Sequence, residues 1–87
     1  MKHRMDVTLK LFANLSEFLP QGAQQNAFID QVAEGTSVRD LLIKHNVPLP
    51  RCHLILINGV YTAPAKAAEA RLKHGDVVSV WPPVAGG

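Results

Sequence analysis

The pair Asn58-Gly59 is the strongest local constraint on how this chain folds. It stands between two apolar runs, with "CHLILI" before it and "VYT" after it. An Asn-Gly pair in that setting forms a two-residue turn in which both residues take positive φ, and such a turn joins two antiparallel strands. The sequence therefore predicts a β-hairpin over residues 52–62.

The first half of the chain carries the pattern of a second hairpin. In "DVTLKLFA", from Asp6 to Ala13, apolar and polar residues alternate, so that every second side chain faces one side. "NAFIDQVAEG" is a weaker strand pattern that ends at Gly35. The segment between them, "NLSEFLPQGAQQ", predicts a short turn or helical piece and a long hairpin connection. The apolar residues of the first strand are Val7, Leu9 and Leu11.

The segment "TSVRDLLIKHN" predicts the main helix. Ser37 is a good N-cap, and Asp40 lies in the first turn, where its negative charge suits the helix dipole. Asn46 can cap the end, and Pro48 and Pro50 prevent continuation. One face of this helix is apolar up to the histidine at its end. The residues of that face are Val38, Leu41, Leu42 and His45.

The last strand is predicted in "VVSVW", after a tight turn at Gly75 and Asp76. Pro82 and Pro83 follow, and they end ladder pairing because proline has no N–H. Two hairpins, one crossover helix and a final strand give an α+β fold. We expect a mixed sheet of about five strands with the helix packed on one face. The first and last strands should lie side by side at its centre.

The 87 residues are enough for one domain of 1–87, in which 82–87 form a projecting tail. Hydrophobic residues make up 47% of the chain, which predicts a packed core. The start "MKHRMDVTLK" predicts no signal peptide, and no apolar run is long enough to cross a bilayer. A single cysteine fits a reducing compartment, so a cytoplasmic location is expected and no membrane partner.

Residues for independent chemistry are missing from the sequence. The glycines match neither a phosphate loop nor a dinucleotide fingerprint, and the four histidines have no metal-ligand spacing, so we expect no metal. Cys52, beside an apolar strand, is expected to be a packed residue rather than a nucleophile. Lysines and arginines are dispersed, which argues against nucleic acid as a partner. We therefore expect a protein that is not catalytic alone.

The ending "VWPPVAGG" offers a different kind of chemistry. Pro82 and Pro83 hold an extended backbone, and Gly86 and Gly87 have no side chain, so the end can enter a channel too narrow for other residues. Gly87 then delivers a carboxylate, which must be adenylated before a nucleophile attacks it. A sulfur nucleophile that replaces AMP leaves a thiocarboxylate, which can pass its sulfur on.

With "LKHGDVVSVW" and "LILINGVY" before it, the ending "PPVAGG" resembles the MoaD/ThiS family of ubiquitin-like sulfur carriers. The opening "VTLKLFANLSEFLP" and the segment "EGTSVRDLLIKHNVP" are similar to the opening and the helix of that family. The resemblance runs from about Asp6 to Gly87 and implies the β-grasp fold. It implies adenylation and thiocarboxylation of Gly87, with transient AMP and sulfur as the groups carried and no stably bound cofactor.

The same resemblance implies the partners. One is a ubiquitin-activating-type adenylating enzyme, similar to MoeB and ThiF. The Pro-Pro pair looks closest to the small subunit of molybdopterin synthase, whose tail enters a MoaE-like large subunit and supplies the dithiolene sulfur of molybdopterin. Two alternatives use the same tail: a carrier for thiamin thiazole, a tungsten cofactor or another sulfur-transfer pathway, or a modifier conjugated to lysine through Gly87.

In the third and fifth strands both sets of alternating residues are apolar, which predicts two apolar faces of the sheet. A single helix covers only one of these faces. Ile55, Ile57, Val78 and Val80 suit the face under the helix. The opposite face is expected to dock a larger subunit, with Trp81 as its anchor. The alternative is that the first turn or the "NLSEF" segment folds over that face as part of the core. The residues expected to bind partners are Leu54, Leu56, Trp81, Pro82, Pro83 and Val84, with Val77 on the same face.

Overall fold

The computed structural model describes residues 3–83. Within residues 3–83, five strands and one α-helix follow one another in the predicted order, with short 3₁₀ helices in three of the connections. The strands are β1 (Arg4–Leu11), β2 (Ala27–Ala33), β3 (Leu54–Ile57), β4 (Val60–Thr62) and β5 (Val77–Trp81), and the helix is α1 (Val38–Lys44). The 3₁₀ helices are Ala13–Phe18, Leu49–Arg51 and Pro64–Lys66.

The strands form one mixed sheet in the order β2-β1-β5-β3-β4. The first and last strands are parallel neighbours at its centre, and all other neighbours are antiparallel. A hairpin, a crossover helix and a parallel return to the centre make the β-grasp arrangement, so the fold predicted from the sequence is confirmed.

The inner face of the sheet and the helix share one core. The alternation in β1 is borne out, because Val7, Leu9 and Leu11 are all buried while the residues between them are half-buried. Val38, Leu41 and Leu42 of α1 are completely buried against this face, as the helix pattern predicts. Ile55, Val78 and Val80 complete the centre, and Ile57 packs at its margin.

The ends of α1 are closed as the sequence predicts. The Ser37 hydroxyl accepts a hydrogen bond from the Asp40 amide at 3.0 Å, and the Asp40 carboxylate accepts one from the Ser37 amide at 3.2 Å. At the other end Asn46 takes a left-handed φ of 61°, which lets the chain leave the helix. His45 lies at the helix end, but its ring also contacts Asp30 of β2, a pairing that the sequence did not reveal.

The hairpin turn has the predicted backbone. Asn58 and Gly59 have φ values of 52° and 84°, and the strands on either side pair antiparallel. Both conformations are left-handed, which asparagine tolerates and glycine adopts without strain.

The first strand differs from its predicted limits. It runs from Arg4 to Leu11, whereas the alternation suggested Asp6 to Ala13. The strand stops because Ala13 takes a φ of 53°, which turns the chain into the 3₁₀ helix over Ala13–Phe18. This helical piece matches the prediction for the connection. Its Leu15 is completely buried in the core rather than lying over the other face of the sheet.

Candidate functional site

The end of β5 is held on both sides by its neighbouring strands. On the β3 side the amide of His53 donates to the carbonyl oxygen of Trp81 at 2.9 Å, and Leu54 is paired with Trp81 in the antiparallel register. On the β1 side the amide of Phe12 donates to the carbonyl oxygen of Val80 at 3.1 Å. The last residue before the two prolines is therefore fixed in the middle of the sheet rather than at an edge.

The side chain of Trp81 is also held, by an aromatic contact. Its ring lies parallel to that of Phe12, with ring centroids 4.4 Å apart and an angle of 7° between the planes. The two residues can meet because β1 and β5 are parallel neighbours in which Leu11 pairs with Val80. Each aromatic residue follows that pair by one position, on the face away from the core.

A strained corner follows Phe12. Ala13 has a φ of 53°, a left-handed conformation that an alanine adopts only at a cost of about 1–2 kcal/mol. Strained backbone of this kind persists where the surrounding structure enforces it. Here it directs the chain away from β1 immediately after the residue that supports Trp81.

A groove of about 480 Å³ runs along this end of the sheet. Trp81 and Pro82 are half-buried in its wall, while Pro83 is exposed. Most of its lining is apolar, and Asn14 and His53 place polar groups at its rim. We call it the Trp81 groove; its lining residues are Ala13, Asn14, His53, Leu54, Trp81, Pro82 and Pro83.

Apolar surface continues from the groove across the outer face, the side of the sheet opposite α1. Leu56 of β3 pairs with Ser79 on one side and with Tyr61 on the other, so these residues share that face with Trp81. Leu56 is half-buried, and Tyr61 has 59% of its surface exposed. Polar residues usually cover such a face in a sheet with one solvated side.

The residues predicted to bind partners come together only in part. Trp81, Pro82, Pro83 and Leu54 line one groove, and Leu56 lies beyond it on the same face. Val77 is half-buried at the far end of β5, on the same face. Val84, Gly86 and Gly87 lie outside the described residues, so their predicted roles stay predictions.

Phe12 is the residue that the sequence interpretation missed. A signal for it existed: alternation puts Phe12 on the opposite side of β1 from Leu11, and β1 and β5 were expected to be neighbours. Together these two expectations place Phe12 close to the outer face of β5. The missing information was the register, which sets Leu11 beside Val80 and so brings Phe12 to Trp81.

Other candidate chemistry is sparse in the described part of the chain. Cys52 is buried at the edge of the core, and burial raises the pKa of its thiol, which disfavours the nucleophilic thiolate. Among residues 3–83, no three histidine, cysteine or acidic side chains are grouped as a metal site would require. Over the same range, none of the helices has the length and apolar character needed to cross a membrane.

A family model described as the ThiS family matches residues 9–87. The chain belongs to the ThiS family. This is a family of ubiquitin-like sulfur carriers, small proteins that act as subunits of complexes and are not catalytic alone. The match includes the residues of the Trp81 groove and the glycine ending. A direct sequence comparison with curated proteins found no match.

Solved structures support the fold and point to two kinds of relative. A Pyrococcus furiosus protein described as molybdopterin converting factor, subunit 1, is 26% identical, with a TM-score of 0.64 over 92% of this chain and 99% of its own. Small archaeal modifier protein 1 of Methanosarcina acetivorans is 28% identical, with a TM-score of 0.64 over 98% of this chain and 99% of its own.

A third structure is a complex of subunits 1 and 2 of the molybdopterin-converting factor from Helicobacter pylori. The matched chain is 22% identical, with a TM-score of 0.59 over 95% of this chain and 100% of its own. At that identity the likeness supports the fold alone. The structure contains a protein of this fold together with a second subunit.

Proposed function

We propose that this protein carries sulfur as a thiocarboxylate on Gly87 and donates it in the synthesis of molybdopterin, as the small subunit of molybdopterin synthase. An adenylating enzyme activates the Gly87 carboxylate with ATP, and a sulfur donor then displaces AMP. Gly86 contributes by having no side chain, so that the end of the chain fits a narrow channel. The protein itself supplies the carboxylate that carries the sulfur and the surface that binds the partner.

The observation that carries this proposal is the position of the Trp81 groove. Pro82 and Pro83 leave β5 directly along the groove, so a partner bound there meets the beginning of the tail. Trp81 is restrained by a backbone hydrogen bond from His53, the residue before β3, and by the stacked ring of Phe12. A surface that fixes both the partner and the root of the tail suits delivery of the carboxylate into another protein's active site.

The molybdopterin pathway is supported by the likeness to the Pyrococcus furiosus protein, and the Helicobacter pylori structure supports the fold. The Pyrococcus furiosus protein shares the fold at 26% identity, and the Helicobacter pylori structure pairs a protein of this fold with subunit 2. The half-buried outer face offers a corresponding apolar surface for a large subunit. We propose Leu54, Leu56, Trp81, Pro82, Pro83 and Val84 as its contacts.

A genetic complementation experiment tests the pathway. The wild-type chain is expressed in a bacterium that lacks the small subunit of molybdopterin synthase but retains the adenylating enzyme and the large subunit. We expect molybdopterin to be restored by the wild-type chain and not by a chain without Gly87. If molybdopterin stays absent while the same chain restores growth in a strain lacking the thiamin thiazole carrier, the chain serves thiazole synthesis, the alternative that the ThiS family match favours.

The likeness to small archaeal modifier protein 1 favours a second candidate function, attachment to other proteins. The same activated Gly87 would then form an isopeptide bond with a lysine. The test is purification of an N-terminally tagged chain from its native cells under denaturing conditions. Lysine-linked Gly87 in digested conjugates supports modification, and a free thiocarboxylate without conjugates supports a dedicated carrier.

A further inference from the structure

Asn58 is fastened to the beginning of β5 by three hydrogen bonds. Its amide donates to the carbonyl oxygen of Val77 at 2.8 Å, and its side-chain oxygen accepts from the Val77 amide at 2.9 Å. Its side-chain nitrogen donates to Asp76 Oδ1, also at 2.9 Å. Asn58, which precedes Gly59 at the tip of the β3–β4 hairpin, is therefore clamped to a distant segment of the chain. We call these three hydrogen bonds the clamp.

An asparagine followed by glycine can lose its side-chain amide without a catalyst. The Gly59 nitrogen attacks Cγ of Asn58, a C–N bond forms, and the bond from Cγ to Nδ2 breaks. Ammonia leaves with the proton from the Gly59 nitrogen, and a five-membered succinimide remains. Water then opens this ring to give aspartate or isoaspartate. Glycine favours the attack because it has no side chain to shield its nitrogen. Asparagine is counted among the thermolabile residues.

We propose that Asn58 is a deamidation site whose reaction is restrained by the clamp to Asp76 and Val77. Both atoms of the reacting amide are occupied by hydrogen bonds, so Cγ cannot rotate freely towards the Gly59 nitrogen. Gly59 itself is exposed, with no atom within 4 Å of the place where a Cβ would be. Reaction therefore requires local opening of the clamp rather than access through packed side chains.

The aspartate product cannot restore the hydrogen bond to Asp76, although one of its side-chain oxygens can still accept from the Val77 amide. Deamidation replaces the Nδ2 donor by a carboxylate oxygen, which would face Asp76 Oδ1 where the hydrogen bond now spans 2.9 Å. Two carboxylates at that distance repel each other, and neither can donate while both are ionised. Isoaspartate would also add a carbon to the backbone of a two-residue turn. The reaction thus removes the link between residue 58 and Asp76 irreversibly.

This modification site lies away from the proposed carrier chemistry. Val77 is the first residue of β5 and Trp81 the last, so the clamp and the Trp81 groove are at opposite ends of the strand. The proposal therefore stands or falls independently of sulfur transfer.

The test measures deamidation at Asn58 in the full chain by peptide mapping that separates asparagine, aspartate and isoaspartate. Folded protein is compared with the same protein unfolded in guanidinium at equal pH and temperature. We expect the reaction at Asn58 to be at least about tenfold slower in the folded protein. Asn14, Asn26 and Asn46 serve as internal controls, because each precedes a residue with a side chain.

Two variants at Asp76 separate the clamp from general stability. In Asp76→Asn one side-chain oxygen can still accept from Asn58, so the rate should stay near that of the wild type. In Asp76→Ala that acceptor is missing, and deamidation of the folded protein should accelerate severalfold. Both variants lose the second carboxylate oxygen, which accepts from the Lys73 amide at 2.8 Å, so that loss is common to them. Equal rates in folded and unfolded wild-type protein would overturn the proposal. Equal rates in the two variants would overturn it as well, and the wild-type comparison remains decisive if Asp76→Ala does not fold.

Discussion

The rings of Phe12 and Trp81 stack almost parallel, 4.4 Å apart between centroids, on the face of the sheet that α1 does not cover. Phe12 follows β1 and Trp81 ends β5, so the stack joins the two central strands on the side away from the core. Trp81 also precedes the two prolines that lead to the glycine ending. The contact therefore connects the central sheet to the root of the tail.

Replacing Phe12 by leucine should loosen Trp81 without unfolding the protein. The apolar volume is largely kept but the stacked ring is lost, so we expect a stability loss of about 0.5–1.5 kcal/mol. The chain has one tryptophan, and its fluorescence and near-ultraviolet circular dichroism report Trp81 directly. Phe28→Leu is the matched control, since Phe28 contacts His45 instead. An unchanged tryptophan signal in Phe12→Leu would show that the stack does not restrain Trp81.

Polar substitutions on the outer face should impair partner binding more than folding. Trp81→Gln and Leu56→Gln are each expected to weaken binding to a large subunit. For Trp81→Gln we expect a loss of about 2 kcal/mol or more in binding free energy. Ile29→Gln is the control, because Ile29 is 69% exposed on the same face but lies on the edge strand β2. Titration calorimetry measures the affinity for the large subunit, and thermal unfolding measures the stability of each variant. Normal binding per folded molecule with lowered stability would mean that Trp81 and Leu56 serve the core.

Truncating the buried side of α1 should destabilise the whole domain. Leu41 is completely buried, and Leu41→Ala is expected to cost about 2–5 kcal/mol through lost apolar contacts and the cavity left behind. Ile43 on the same helix is 49% exposed, so Ile43→Ala should change stability by less than about 1 kcal/mol. Denaturant unfolding measures both variants. Similar midpoints for the two would contradict the packing of α1 described above.

Acid should remove stability that Asp30 supplies. Burial alone would raise the pKa of the Asp30 carboxyl, but hydrogen bonds from His45 and Lys44, with the charge of both, hold that pKa below its ordinary value of 3.8. A carboxyl whose pKa is lower in the folded state stabilises the protein above its unfolded pKa and loses that contribution as the pH falls through the folded pKa. We therefore expect the stability contributed by Asp30 to be lost below about pH 4.

Asp30→Asn should flatten this acid dependence. The variant should be less stable than the wild type near neutral pH, and the two should converge in acid. Some dependence will remain because the pKa of Asp40 is also lowered, by hydrogen bonds from the backbone and hydroxyl of Ser37. Thermal unfolding across the acid range measures the stability of the wild type and of Asp30→Asn. Glu34→Gln, at an exposed position, is the control. Parallel curves for Asp30→Asn and the wild type would contradict the role given to Asp30.

Local patterns were sufficient to predict most of the fold. Alternation identified the buried residues of β1, the Ser37 and Asp40 pair identified the start of α1, and Asn58-Gly59 identified the hairpin. Each of these signals acts within a few residues of the chain. The left-handed Ala13 left no such signal, because alanine is not a residue that favours this conformation, and so the end of β1 was misplaced by two residues.

Contacts between distant segments were harder to predict. Trp81 and Leu54 could be assigned to one face from alternation alone, but the stack on Phe12 depends on the register between β1 and β5. His45 was assigned to the helix end, whereas its 2.8 Å contact with Asp30 depends on where α1 crosses β2. Both contacts depend on tertiary packing, which sequence spacing does not determine.

The mass of the chain after incubation with a cognate adenylating enzyme, ATP and a sulfur donor tests the role of Gly87 most directly. We expect an AMP adduct at Gly87 before the donor is added and replacement of one carboxylate oxygen by sulfur afterwards. A chain without Gly87 should show neither change while its thermal unfolding stays the same. If that truncated chain still accepts AMP and sulfur, or if the intact chain accepts neither from adenylating enzymes of sulfur-carrier pathways, the assignment of Gly87 as the carrier group is wrong.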